Sequence, residues 1–228
     1  MPAKVSVIIP VYNGQDFIAD AVKTVRDQTF PCAELILVDD GSTDGSAEKL
    51  DDIPDARVIH QANSGPAVAR NAGVGVASGE FIAFLDQDDL WAAKKTAKQL
   101  AVLENDQTLD YVLSHSIYKL HMITERPRWA KQKYFDEPVP GWVLGSTLIR
   151  RRTFDRVGGF DPALRHGGDD VDWFSRSETA GVNRLMMPDL LVYRRIHSKN
   201  LSAQTKEGNK ELLSVIRNMV SQRRKASH

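Results

Sequence analysis

GEFIAFLDQDD, Gly79 to Asp89, joins an unbroken apolar run, Phe81 to Leu85, to three carboxylates, Asp86, Asp88 and Asp89. A short run of this kind suits a strand buried on both faces, as in a parallel sheet. Acidic residues straight after it fall where open parallel sheets bind ligands, in the crevice beyond the carboxyl ends of the strands. Upstream the same grammar repeats. Val5 to Ile9 is a β-branched run that Pro10 is expected to end, with Tyr12-Asn13-Gly14 as a polar turn. Phe17, Ile18, Ala21, Val22 and Val25 recur at helical spacing, which predicts an amphipathic helix to about Gln28. Leu35 to Val38 is a second buried strand, closed by Asp39-Asp40-Gly41, and Ser42, Thr43 and Asp44 can cap a short helix to about Leu50. Arg57 to His60 reads as a third strand and Pro66 to about Ala77 as a helix. The alternation β-α-β-α-β-α-β predicts an α/β fold with an open, mostly parallel sheet and helices on both faces.

Downstream the pattern loosens. Leu90 to about Leu103 reads as a helix, Tyr111 to Lys119 as a strand, and 122–140 shows no period. Four Lys or Arg residues crowd Arg126 to Lys133, either in a loop facing a second substrate or in a solvated insertion. Gly145 to Arg150 predicts a strand followed by a turn at Gly158-Pro162; Val171 to Thr179 predicts a helix, Leu190 to Ile196 a strand, and Lys210 to Lys225 a basic tail helix.

Bulk properties narrow the function. Thirty basic and thirty acidic residues among 228 cancel, so charge gives no sign of a nucleic-acid partner. The lone Cys32 forms no internal disulfide and fits a reducing, cytoplasmic setting. No run of roughly 18 apolar residues is present, so no transmembrane helix is expected. Peripheral contact of the basic tail with the inner face of a membrane stays open beside a plain solvated tail. There is no G-x-G-x-x-G after the first strand and no G-x-x-x-x-G-K-[ST], which excludes the dinucleotide and P-loop readings.

The acidic groups carry the chemistry. Carboxylate oxygens suit Mg²⁺ or Mn²⁺, so Asp86 and Asp88 predict one residue on a metal and the other on a ribose hydroxyl, with the cation offsetting charge on a diphosphate. The alternative is an Asp-rich turn, with Asp89 capping the next helix. Asp39 and Asp40 either accept hydrogen bonds from a base or ribose or form a turn and cap. Arg70, on a helix bordering the same crevice, is a diphosphate or base contact or a surface residue. Asp169, Asp170 and Asp172 follow the flexible pair Gly167-Gly168. A carboxylate there can take a proton from an acceptor hydroxyl, or the group is simply an acidic first turn. His197 is a further metal or phosphate contact, or a packed residue.

Four stretches, VSVIIPVYNG (Val5–Gly14), LILVDDGSTDGS (Leu35–Ser46), GPAVARNAG (Gly65–Gly73) and GEFIAFLDQDD, occur in the order and spacing of the nucleotide-binding half of family-2 glycosyltransferases, which the chain resembles. VGGFDP (Val157–Pro162) and GGDDVDW (Gly167–Trp173) resemble that family's acceptor-side segment. The resemblance implies a GT-A fold, a Mn²⁺ or Mg²⁺ ion, and inverting transfer from a nucleotide-sugar donor, UDP favoured, to an unidentified acceptor: a saccharide, a lipid-linked saccharide or another hydroxyl. It implies Pro10 and Tyr12 lining the nucleoside pocket, Asp39 and Asp40 on the base, and Arg70 on the nucleotide. It further implies Asp86 near ribose and metal, Asp88 on the metal, Asp170 as base, and Arg195 with His197 closing over the diphosphate. The family often has Glu where Asp169 stands, so that residue's role is open. One domain is expected, with a nucleotide-sugar half over 1–105, an acceptor half over 106–205 and a basic tail over 206–228. A non-catalytic nucleotide-sugar-binding relative and a sugar nucleotidyltransferase are the alternatives. The latter lacks its expected Gly-rich basic loop here.

Overall fold

The computed structural model describes residues 4–200 and 210–217. In chain order β1 (Val5–Val11), α1 (Ile18–Arg26), β2 (Glu34–Asp39), α2 (Ser46–Asp51), β3 (Ala56–His60), α3 (Pro66–Val76) and β4 (Phe81–Phe84) make the anticipated alternation. The four strands lie in parallel in the order β3-β2-β1-β4. Alternate side chains of β1 explain why the run, Ser6 excepted, is apolar on both faces. Val5, Val7, Ile9 and Val11 pack with Ile18, Ala21, Val22 and Val25 of α1, while Ile8 on the opposite face packs with Ala67 and Ala69 of α3. Gly73 lets α3 press against β1, since a Cβ there would overlap the Ile8 side chain.

Pro10 does not end β1. The Leu85 N–H bonds the Ile8 carbonyl on the β4 side, and Pro10, two residues on, faces the same side after the pairing with β4 has stopped at Ile8. Its missing N–H therefore removes no ladder bond, and β1 runs on to Val11.

The second half completes a mixed sheet. After β5 (Leu90–Trp91) and α4 (Lys95–Asn105) come β6 (Tyr111–Leu120), α5 (Lys133–Asp136), β7 (Val139–Pro140), a 3-10 turn at Leu144–Ser146, β8 (Leu148–Arg150), α6 (Arg151–Val157), α7 (Asp169–Thr179) and β9 (Arg184–Ile196). The order continues β4-β8-β6-β9-β5, with β8 antiparallel to both neighbours, β6 parallel to β9, and β5 antiparallel to β9. The first half is thus wholly parallel, and the second mixes the parallel β6–β9 pair with antiparallel ones.

Several expectations change. Leu90 and Trp91 are strand, not helix, because they pair with Tyr193 and Val192 and the Trp91 indole N–H donates to the Gly145 carbonyl at 2.9 Å. Asp89 caps no helix; its carboxylate accepts the Arg195 N–H at 3.0 Å and faces Arg194 at 3.3 Å. α6 occupies a stretch where only a strand and a turn were foreseen. Of the tail, residues 210–217 are helical and the rest lies outside the described residues.

Candidate active site

The carboxyl ends of β1, β2 and β4 open into one cavity of about 650 Å³, with the 165–170 loop and the start of α7 on its far side. Pro10, Tyr12, Asp40, Arg70, Asp86, Asp88 and Asp170 all line it; Asp39 and His197 do not. Asp39 is the last residue of β2 and Asp40 follows it, and of the two Asp40 lines the cavity. Asp39 turns away to accept the Ser42 N–H at 3.0 Å and to meet His60 Nδ1 at 3.2 Å. Asp40 is almost fully buried and accepts from Gln61 Nε2 (2.7 Å), Ser64 N (2.8 Å) and Gly65 N (2.8 Å), which fastens the 61–65 loop beside the cavity. Gly65 (φ +92°) also runs against the Arg165 backbone, so close that a Cβ would stand 2.8 Å from Arg165 Cα. Only glycine admits that crossing between the two halves of the chain.

Within D-x-D the middle residue has its own task. Gln87 accepts the Tyr12 N–H and donates to the Tyr12 carbonyl, both at 2.9 Å, which locks the turn after β1 to the turn after β4. Asp86 and Asp88, on either side of it, line the cavity. The Tyr12 ring is about half exposed there.

Arg70 is buried, and its guanidinium spans the cavity floor. Nη2 donates to Asp86 Oδ1 at 2.8 Å, Nη1 bonds Asp169, and Nε has no partner among the described residues. Asp169 therefore holds the first turn of α7 to α3, a role that the sequence left open. Next to it, burial pushes the Asp170 carboxyl up to about 6; the Asp169 charge adds to this and Arg70 opposes it. Asp170 Oδ1 accepts the Val171 N–H at 2.8 Å.

Asp88 is treated differently. Burial acts to raise it, but the hydrogen bond and charge of His197 prevail, and its carboxyl titrates below the usual range. His197 Nε2 lies 3.1 Å from Asp88 Oδ2, and Asn200 Nδ2 donates to the same oxygen at 2.9 Å. His197 Nδ1 lies 3.2 Å from the Lys199 nitrogen, and its Nε2 also lies 3.1 Å from Asn200 Nδ2. His197 is buried outside the cavity lining, and there its Nε2 positions the Asp88 carboxylate. Its ring is stacked on Phe17 at 4.2 Å.

Arg195 is placed elsewhere than the resemblance implied. It is buried away from the cavity, bonded to Asp20 at 2.7 Å, the Phe17 carbonyl at 3.1 Å and the Asp88 carbonyl. Its neighbour Arg194 lines the cavity instead, donating to the Tyr118 hydroxyl at 3.2 Å. Sequence reading missed Arg194, Gln87 and Asn200; alternation along β9 was the one signal for Arg194.

The residues fit a divalent cation in an open manner. Among the described residues no three His, Cys, Asp or Glu side chains converge as a closed cage. Mg²⁺-like ions, however, usually take one or two carboxylates and complete their shell with water and substrate phosphates. Asp86 and Asp88, hard oxygen donors on one wall of the cavity, match that pattern.

A sequence model described as Glycosyl transferase family 2 matches residues 6–160. The putative teichuronic acid biosynthesis glycosyltransferase TuaG of Bacillus subtilis is 48% identical over 219 residues, covering 89% of this chain and 84% of the relative. The UDP-Glc:alpha-D-GlcNAc-diphosphoundecaprenol beta-1,3-glucosyltransferase WfaP of Escherichia coli is 30% identical over 209 residues, covering 87% and 80%. Among solved structures, residues 1–349 of TarS from S. aureus in complex with UDP-GlcNAc superpose with a TM-score of 0.72 at 24% identity, over 95% of this chain and 65% of that one. The chain spans only 32% of the length of two longer Rickettsia relatives that it matches. The TarS likeness establishes the GT-A-type fold.

Proposed function

The chain belongs to glycosyl transferase family 2, and we propose that it moves a sugar from a nucleoside-diphosphate sugar to an acceptor hydroxyl with inversion, Asp170 acting as the base. The observation that carries this is the meeting of Asp86 and Asp88 with Asp170 around one cavity, tied together through Arg70 and Asp169. A UDP-sugar donor and a saccharide acceptor, lipid-linked or free, are supported by the donor and acceptor in the name of WfaP and by the polymer in the name of TuaG.

In this reading Tyr12 and Pro10 flank the nucleoside and Asp40 holds the 61–65 loop against it. Asp88 and Asp86 would hold Mn²⁺ or Mg²⁺, which when bound neutralises charge on the leaving diphosphate. Arg70 keeps Asp86 in place and leaves Asp170 free to face the acceptor. The acceptor oxygen bonds to the anomeric carbon as the bond to the diphosphate oxygen breaks, and the hydroxyl proton passes to Asp170. One displacement gives one inversion. Asp88 stays ionised at neutral pH because its contact with His197 and the charge of Arg194 outweigh its burial, whereas Asp170, with its raised affinity for protons, is suited to accept one.

Turnover of a panel of UDP-sugars with and without Mn²⁺ tests this. Asp170→Asn is expected to lower kcat by at least about a hundredfold, the lower range for general-base contributions, while UDP binding by calorimetry is retained. Undiminished turnover in that variant, or a product of retained anomeric configuration, overturns the mechanism.

A further inference from the structure

We propose that residues 119–133 are a docking surface for an anionic lipid bilayer, with Met122 and Trp129 entering the headgroup layer. The segment is built, not loose. Arg126 donates to the Pro127 and Ala130 carbonyls, Ala130 is fully buried, and Tyr134 and Phe135 of α5 pack on Tyr118 at 5.1 and 5.7 Å. Yet the same frame presents apolar side chains outward: Met122 is 74% exposed, Trp129 43% and Leu120 39%. Met122 is displayed at φ +57°, a backbone conformation that costs a non-glycine residue energy. The Trp129 indole has no ring contact and no hydrogen bond among the described residues, unlike the other three tryptophans.

Charge sets the partner. Residues 119–133 carry Lys119, Arg126, Arg128, Lys131 and Lys133 against the single acid Glu125, in a chain whose net charge is zero. Lys133 is partly offset by Glu137 at 3.3 Å, whereas Arg128 and Lys131 are exposed and have no ion-pair partner among the described residues. Cations interleaved with an exposed tryptophan and methionine match a bilayer surface, where lipid phosphates take the charge and the indole lies at headgroup level. A nucleic acid would use the cations but leave Met122 without a partner. The segment is anchored to the donor-side half, since the His121 ring lies 5.6 Å from Phe17, on which His197 is stacked. The inference stands apart from the transfer chemistry and is tested by binding alone.

The test is sedimentation of the full chain with sucrose-loaded vesicles, of phosphatidylcholine alone or mixed with phosphatidylglycerol. Binding is expected only to the mixed vesicles and to weaken with salt. Arg128→Gln with Lys131→Gln is expected to lower partitioning roughly thirtyfold, at roughly fivefold for each adsorbed cation. Met122→Ser with Trp129→Ser is expected to abolish binding, with an unchanged melting temperature certifying the fold. Brominated acyl chains should quench the wild-type fluorescence, and Trp129→Phe should bind but lose that quenching. Three results overturn the proposal: no binding to the mixed vesicles, undiminished binding by both double variants, or quenching that persists without Trp129.

Discussion

Asp170 has a titration that can be followed in two independent ways. A base must be ionised to accept a proton, so kcat/KM should rise with pH through about 6 and then level off. Asp169→Asn removes the like charge that helps raise Asp170, so the acid limb should move to lower pH, and kcat should fall because Arg70 loses its hold on α7. An acid limb that stays in place would show that Asp169 does not act on Asp170. Stability gives the converse reading. A carboxyl whose folded pKa lies above its unfolded value favours the fold while protonated and loses that benefit as pH rises through about 6. Asp170→Asn, permanently neutral, should therefore melt higher than wild type above pH 6, by about 2–4 °C for each 1 kcal/mol relieved in a chain of this size. The gap should close at lower pH. Equal melting temperatures at pH 8 would refute the assigned burial of this charge.

The elements show where local pattern suffices and where it fails. β1, β2 and β4 were legible because each is built on a nearly continuous apolar run that two helical layers cover. β5 was not. Two residues have no periodicity of their own, and Leu90-Trp91 becomes strand only through the return of β9 a hundred residues later. Pro10 misled for a related reason, since whether a missing N–H matters depends on which neighbour that edge faces. The packing of α3 on β1 gives a further test. Gly73→Ala should improve helix propensity, yet the new methyl meets Ile8, and overpacking of a filled core costs about 1–3 kcal/mol. Urea denaturation should show a lower midpoint with an unchanged slope; a stabilised variant would mean that α3 can shift.

Across the molecule, the site was legible in its parts and hidden in its wiring. Sequence pointed to Asp40, Asp86, Asp88 and Asp170, which line one cavity. It could not pair Arg70 with Asp169, or tell Arg194 from Arg195, because those choices depend on which face of α3 and β9 meets a distant segment. The charges illustrate the point: a chain neutral in total gathers acid at the cavity and base along 119–133, an asymmetry that counting residues conceals.

The antiparallel seam where β8 joins β4 has a practical consequence. Every strand of the donor-side half precedes that seam except β5, whose sole pairing among the described residues is with β9. A fragment ending at residue 105 would be left with β4 as a raw apolar edge, open to other fragments. Such a truncation should express as aggregate, and supplying residues 106–228 as a separate polypeptide should return part of it to solution.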